Sequence, residues 1–120
     1  MQRKNVIYQK SFDFAINIVK LYKYLCAEKK EYVISKQVLK SGTSIGANIK
    51  EALAAQSKKD FVAKLYVASK EASETEYWLE LLIETEYLEP KQGELLLQDL
   101  EEIQKLLSSI IITTKRNHKV

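Results

Sequence analysis

The residues with the clearest chemical pattern are Gly42 to Gly46, which read Gly-Thr-Ser-Ile-Gly and match the G-x-S-x-G motif of a hydrolase nucleophile elbow. In that motif the serine occupies a tight turn between a strand and a helix, and an acid and a histidine follow along the chain. Ser44, Asp99 and His118 fall in this order. However, His118 lies near the C-terminus, and the sequence lacks the alternating strands of a hydrolase sheet. We therefore predict no catalytic residues, no enzymatic activity and no labelling of Ser44 by a serine-directed probe.

The two glycines of this motif have a second interpretation, because glycines four residues apart lie on one face of a helix. Nine of the fifteen residues from Ser41 to Ala55 are Ser, Thr, Gly or Ala, so a helix here would offer mostly backbone to its neighbours. Each interior glycine destabilises a helix by about 1 kcal/mol relative to alanine, and tertiary packing must compensate. We expect Gly42 and Gly46 to be sites of close helix packing.

Other kinds of site find little support in the sequence. A phosphate-binding loop needs G-x-x-x-x-G-K-[ST], whereas Gly42 and Gly46 are one residue too close together and no lysine follows the second. With one histidine and one cysteine, only carboxylate pairs could bind a metal ion, and no Glu-x-x-His is present. We predict no metal, no cofactor and no small-molecule substrate.

The location of the protein is also constrained by its composition. The single cysteine, Cys26, cannot form an intrachain disulfide. No secretion signal opens the chain, and no apolar stretch approaches the ~18 residues of a membrane span. These features predict a cytoplasmic protein that makes no membrane contact.

Apolar residues recur at spacings of three and four along most of the chain, which indicates helices. A capping box at Ser57 to Asp60 begins one helix, Pro90 begins another, and Ser35 is the expected N-cap of a third. We place four helices in a single domain of residues 1–120, at 6–28, 35–55, 58–85 and 90–114, followed by a frayed tail from Lys115. Four helices with short connections pack most simply side by side, so the predicted fold is an all-α, up-down-up-down antiparallel four-helix bundle.

Each helix has an apolar stripe that we expect to face the core. The stripe of the first helix is widened by Phe14, Ile18, Leu21 and Leu25, which indicates contact with two neighbours. The regular stripes are, in chain order, Tyr8, Phe12, Ala15, Val19, Tyr22 and Cys26; Val38, Gly42, Ile45, Ile49 and Ala52; Phe61, Leu65, Ala68, Ala72, Thr75, Leu79 and Leu82; and Leu96, Leu100, Ile103, Leu107, Ile110 and Thr114.

The net charge of +3 is small but unevenly distributed. Residues 1–60 contain 12 Lys or Arg and 5 Asp or Glu, whereas residues 61–120 contain 7 and 11. In the predicted bundle both termini and the second connection meet at one end, the basic end, where ten basic residues accompany three acidic ones. RNA is a polyanion that such an end could bind. Besides Lys119, the basic end contains the candidate nucleic-acid-binding residues Arg3, Lys4, Lys10, Lys50, Lys58, Lys59, Lys64, Lys115 and Arg116.

Two stretches of the sequence carry a family resemblance. Residues 41–49 read Ser-Gly-Thr-Ser-Ile-Gly-Ala-Asn-Ile, and residues 74–79 read Glu-Thr-Glu-Tyr-Trp-Leu. Together with Lys59-Asp60-Phe61, Lys64-Leu65 and Lys70-Glu71, they resemble the bacterial four-helix-bundle family of large-subunit ribosomal RNA intervening-sequence proteins, whose members are also called ribosomal proteins. The resemblance covers nearly the whole chain. It departs from the family pattern at Glu86, where similar proteins often have glycine.

The resemblance implies an antiparallel bundle that assembles into a ring-like homo-oligomer, a pentamer. It also implies a relation in fold to the accessory variability determinants of diversity-generating retroelements, which work with a reverse transcriptase and nucleic acid. The family has no agreed catalytic residues, so the resemblance adds none. We expect a non-enzymatic, oligomeric bundle that associates with RNA or a ribonucleoprotein through the basic end. The alternative is a protein-interaction scaffold without nucleic-acid binding, in which the small-residue face of the second helix, or Trp78, docks another subunit.

Overall fold

Four α-helices make up the computed structural model, which describes residues 5–118: α1 (Val6–Ala27), α2 (Ile34–Leu53), α3 (Lys58–Glu84) and α4 (Pro90–His118). No strand occurs within these residues. Each helix packs against the next and α4 returns to α1, whereas within residues 5–118 the backbones of the diagonal pairs, α1 with α3 and α2 with α4, do not approach closely. Because the connections are short, consecutive helices run antiparallel, and the fold is the predicted up-down-up-down bundle.

The apolar stripes predicted for α2 and α3 are the faces that these helices turn toward the core. All five stripe residues of α2 are buried, from Val38 to Ala52, and α3 is buried at every stripe residue after Phe61, which is half-buried. On α4 the stripe is buried at its centre, but near the end Ile111 is buried and the predicted Ile110 is half-buried. The spacing pattern therefore located the core face of three helices.

The prediction for α1 was wrong in register. Phe12 is 49% exposed and Val19 is 36% exposed, although both belong to the predicted stripe. The core is instead formed by the residues that had been assigned to its margin, Phe14, Ile18, Leu21 and Leu25, together with Ile7 and the buried Ser11. Both sets have helical spacing, so periodicity alone could not choose between them.

The connection between α1 and α2 is held by a side chain that the sequence pattern did not reveal. Ser35 is not the N-cap of α2, because the helix begins one residue earlier, at Ile34. The buried Glu31 carboxylate caps the helix and accepts hydrogen bonds from the backbone N–H groups of Val33, Ile34 and Ser35 at 3.2, 2.9 and 2.7 Å. Burial opposes the charge, but these bonds outweigh it and lower the pKa of Glu31.

The other ends of the helices follow recognisable local rules. Ser57 caps α3 by accepting a hydrogen bond from the Asp60 backbone N–H at 3.0 Å, as the capping box predicted. α3 ends in a Schellman motif whose left-handed residue is Glu86, with φ of 67°. α4 runs to His118, beyond the predicted end at 114, so residues 115–118 are helical and not frayed.

Candidate functional site

The G-x-S-x-G sequence lies in the middle of α2 and has no strand before it within residues 5–118. Ser44 Oγ donates a hydrogen bond to the Lys40 carbonyl at 2.6 Å, and Thr43 Oγ1 donates to the Leu39 carbonyl at 2.7 Å. Hydroxyl groups commonly bond to the preceding helical turn in this way. The strand-turn-helix geometry of a nucleophile elbow is therefore not formed around Ser44.

The two glycines of the same stretch face α1. A Cβ atom added at Gly42 would lie 2.9 Å from both Cγ1 and Cγ2 of Ile18, which is fully buried. A Cβ atom added at Gly46 would lie 3.2 Å from Ser11 Oγ. Non-bonded carbon atoms prefer a separation of about 3.5–4.0 Å, so at Gly42 a larger residue would force α1 and α2 apart.

The small-residue face of α2 is also covered on its other side, by α3. Ser41 Oγ accepts a buried hydrogen bond from Thr75 Oγ1 at 2.9 Å, and Thr75 Oγ1 lies 2.7 Å from the Glu71 carbonyl. Ser41, Gly42 and Gly46 are buried against α1 and α3 within one chain, so these three residues do not form an exposed docking surface.

Trp78 lies at the margin of the core. It is half-buried, and its indole N–H donates to the Glu74 carboxylate at 3.0 Å. The Tyr77 ring meets it edge-on, with 4.9 Å between ring centres. Tyr77, which is 57% exposed, is the more accessible of the two aromatic residues.

The antiparallel arrangement places the starts of α1 and α3 and the ends of α2 and α4 at the same end of the bundle, the basic end. Arg3 and Lys4 lie outside the described residues, as does Lys119. The described candidates are distributed over all four helices: Lys10 on α1, Lys50 on α2, Lys58, Lys59 and Lys64 on α3, and Lys115 and Arg116 on α4.

Two of these candidates form salt bridges with acids of a neighbouring helix. Lys10 Nζ lies 3.1 Å from the Glu102 carboxylate, and Lys64 Nζ lies 3.0 Å from that of Glu51. The hydrogen bond and the charge of Glu51 raise the pKa of Lys64. A phosphate that contacted either lysine would have to compete with a carboxylate already in place.

Two further candidates lie beside tyrosine rings. Lys50 Nζ lies 5.2 Å from the centre of the Tyr8 ring. Lys115 Nζ donates a hydrogen bond to Tyr66 Oη at 3.0 Å and lies 5.4 Å from the centre of that ring. Neither arrangement neutralises the positive charge, which stays available to an anion.

The three remaining candidates, Lys58, Lys59 and Arg116, are exposed and form no salt bridge with another residue in the range 5–118. In addition, α4 contains no Asp or Glu from Ile103 to its end, and α3 contains none from Phe61 to Lys70. These two stretches of α3 and α4 therefore carry only basic charges, and the one acid of the first turn of α3 is Asp60, beside Lys59.

A groove of about 920 Å³ opens between α1 and the start of α4, away from the basic end. Its lining mixes apolar side chains with both signs of charge, including Tyr24, Leu95, Lys20 and Asp99. Within the described part of the chain, no three His, Cys, Asp or Glu side chains are grouped closely enough to hold a metal ion. None of the four described helices has both the length and the apolar character needed to cross a membrane.

Known proteins are similar to this chain in sequence and fold. The family model described as "23S rRNA-intervening sequence protein" matches residues 3–109. A crystal structure of a protein of unknown function from the S23 ribosomal protein family of Bacteroides thetaiotaomicron is similar, with 61% sequence identity and a TM-score of 0.88. That match covers 88% of this chain and 98% of the other. No curated protein matches the chain. Because the family model spans most of its length, the chain belongs to the 23S rRNA-intervening sequence protein family.

Proposed function

We propose that this protein is a non-enzymatic, cytoplasmic bundle that assembles into a homo-oligomer and binds RNA through its basic end. The observation that carries the proposal is that residues 61–70 of α3 and 103–118 of α4 include no Asp or Glu, while Lys58, Lys59 and Arg116 beside them form no salt bridge within residues 5–118. Lysine and arginine side chains bind phosphates and release counterions without reading the base sequence. The name of the family, which refers to 23S rRNA, supports RNA as the polyanion.

The test is the salt dependence of RNA binding, measured by fluorescence anisotropy with a labelled RNA. We expect the affinity to fall steeply with salt, with a slope of about 0.7–0.9 for each phosphate that the protein neutralises. The charge-reversal variant with Lys58, Lys59, Lys115 and Arg116 all changed to Glu should lose this binding, because these residues are exposed and lie at the basic end.

A matched control reverses the same number of charges elsewhere. Lys23, Lys30, Lys36 and Lys91 are also exposed, but they lie near the end of α1 and the starts of α2 and α4, at the opposite end of the bundle. Their reversal to Glu changes the net charge equally and should reduce affinity far less. If both variants lose affinity to the same extent, binding depends on net charge and the assignment to the basic end is wrong.

The oligomer is supported by apolar side chains on α1 that the bundle leaves uncovered. Phe12, Ile16 and Val19 form an exposed ridge on α1, while Tyr24 and Leu95 are exposed beside the groove between α1 and α4. An interface between two different patches repeats head to tail and closes into a ring when the rotation allows it. We propose that the ridge of one subunit binds in the groove of the next, and that five such contacts close a pentameric ring.

Replacing Phe12 and Val19 with Lys should convert the oligomer to monomers, as measured by light scattering after size-exclusion chromatography. Both side chains are exposed, so the fold should persist and circular dichroism should still report helices. A wild-type protein that is monomeric at all accessible concentrations would refute the ring. A stable ring with no salt-sensitive RNA binding would instead favour the alternative, a protein-interaction scaffold.

A further inference from the structure

A line of exposed residues runs along α3 at the spacing of one helix face. Lys59, Ala63, Tyr66, Lys70, Ser73 and Tyr77 follow one another at intervals of four and three, and every one of them is exposed. Lysine and tyrosine alternate along this line. The residues from Ala63 to Lys70 lie on the part of α3 that contains no Asp or Glu, whereas Lys59 is followed by Asp60. Tyr77 has Glu74 and Glu80 as its neighbours one turn away on either side.

Tyr66 is positioned by α4 in a way that leaves its ring accessible. Tyr66 is 45% exposed, and Lys115 Nζ donates to its hydroxyl at 3.0 Å while lying 5.4 Å from the ring centre. The hydroxyl oxygen projects from the rim of the ring, and Lys115 Nζ is much closer to that oxygen than to the ring centre, so the ammonium group lies beyond the rim of the ring. The faces of the Tyr66 ring are therefore not covered by Lys115.

Positive charges surround this ring on both helices. Lys59 and Lys70 lie seven residues before and four residues after Tyr66, roughly 10 Å and 6 Å along the axis of α3. Lys115 adds a third charge from α4. An open aromatic face between several cations suits a base with its flanking phosphates.

We propose that Tyr66 is a stacking platform for a base of single-stranded RNA, with Lys59, Lys70 and Lys115 contacting the adjacent phosphates. This inference rests on the proposed function, since it specifies which form of RNA the basic end takes. Bases in a duplex are stacked on one another and present only their edges, so a tyrosine on a convex helix surface can stack on a base only in an unpaired strand.

The test compares a single-stranded RNA of about 12 nucleotides, a length within the site sizes of single-strand binders, with the same sequence as a duplex. Tyr66→Leu keeps an apolar side chain but removes the aromatic face, and should weaken single-strand binding roughly 5-fold or more. Tyr66→Phe keeps the ring and loses only the bond to Lys115, so its affinity should stay within about twofold of wild type. Duplex binding should respond to neither change.

Tyr77→Leu is the matched control, because Tyr77 lies on the same line of α3 and is more exposed, but in acidic surroundings. Its affinity for the single strand should equal that of wild type. Thermal unfolding of each variant verifies that the fold is retained.

Two outcomes separate this inference from the proposed function. If wild-type protein binds RNA with strong salt dependence and Tyr66→Leu binds the single strand as tightly as wild type, the stacking platform is refuted and binding through the basic end stands. If Tyr66→Leu weakens duplex binding to the same extent as single-strand binding, the platform is likewise refuted. If wild-type protein binds neither form of RNA, both proposals fail.

Discussion

The two flanks of α1 are packed in different ways. Toward α2 the contact depends on the absence of side chains at Gly42 and Gly46, where an added Cβ atom would meet Ile18 at 2.9 Å and Ser11 at 3.2 Å. The two helices therefore approach closely on this flank, and at Gly42 they leave no room for a larger residue.

Toward α4 the contact is less extensive than for any other adjacent pair of helices. It includes a salt bridge between the long, partly exposed side chains of Lys10 and Glu102. Farther along the same flank the groove beside Tyr24 and Leu95 separates the two helices. Flexible side chains and solvent can accommodate changes here that the α2 flank cannot. Mutations on the α2 flank of α1 should therefore destabilise the protein much more than mutations on its α4 flank.

The largest effect is expected for Gly42→Leu. The new side chain would overlap the fully buried Ile18, and neither helix can move without opening the core. Overpacking of this kind typically destabilises by about 1–3 kcal/mol, and a leucine against the stiff, β-branched side chain of Ile18 should reach at least about 3 kcal/mol or prevent folding. Urea unfolding followed by circular dichroism measures it.

Ala47→Leu provides the control for Gly42→Leu, because Ala47 is exposed on the same helix. The same side chain added there should change the free energy of unfolding by less than about 0.5 kcal/mol, as surface substitutions usually do. Equal destabilisation by both substitutions would show that the α1–α2 contact is not as tight as the distances indicate.

The same contrast explains what could be predicted from the sequence. On α2 and α3 one stripe is apolar or small and the opposite face is polar, so the period of the pattern alone identifies the buried residues. On α1 two adjacent stripes are apolar, and only one can face the core of a single chain. Which of the two stripes is buried depends on where α2 and α4 pack against α1. The local sequence around Phe12 and Phe14 does not determine those positions.

The second largest effect is expected for Glu31→Gln, at the connection that leads from α1 into α2. The amide has one oxygen to replace a buried carboxylate that accepts three backbone hydrogen bonds. Hydrogen bonds to charged groups contribute about 1.5–3 kcal/mol each, although a retained oxygen recovers part of this. We expect a loss of about 1–2 kcal/mol at neutral pH in urea unfolding.

The pH dependence of this loss identifies its cause. The pKa of Glu31 is lowered in the folded protein, so its charge stabilises the fold above the pKa of the unfolded chain, about 4.3. That contribution disappears as the pH falls through the lower pKa of the folded state. The difference between wild type and Glu31→Gln should therefore shrink in acid, and a difference that is constant with pH would contradict the charged cap.

Glu86→Gly should have a smaller effect of opposite sign. Glu86 borders the groove between α1 and α4 and has φ of 67°, a conformation that glycine adopts without strain. Relief of the strain is partly offset by the greater freedom of glycine in the unfolded chain, so the expected gain is about 0.5–1 kcal/mol. Thr85→Gly, one residue earlier with φ of −95°, should instead destabilise the protein. A loss of stability in Glu86→Gly would mean that its side chain makes a contribution that exceeds the strain.

The candidate site was only partly accessible to sequence reasoning. The charge count indicated which end of the bundle is basic, because antiparallel topology follows from short connections. The charge count could not indicate that Lys10 is paired with Glu102 and Lys64 with Glu51, since each salt bridge joins residues of two different helices. The exposed line that contains Tyr66 has heptad spacing on α3 and can be read from the sequence. The sequence does not show that Lys115 of α4 lies beside Tyr66, which is what makes this line a candidate binding surface.

The smallest effect is expected for Lys10→Gln, on the α4 flank of α1. The salt bridge to Glu102 joins side chains that are 37% and 56% exposed, and exposed pairs of this kind contribute about 0.2–1 kcal/mol at low salt. The aliphatic part of lysine is largely retained by glutamine, so the loss should be below about 0.5 kcal/mol and should vanish at high salt. Urea unfolding at low and high salt measures both features. A loss that approached that of Gly42→Leu would mean that the α4 flank is as intolerant of change as the α2 flank, and the contrast between them would not hold.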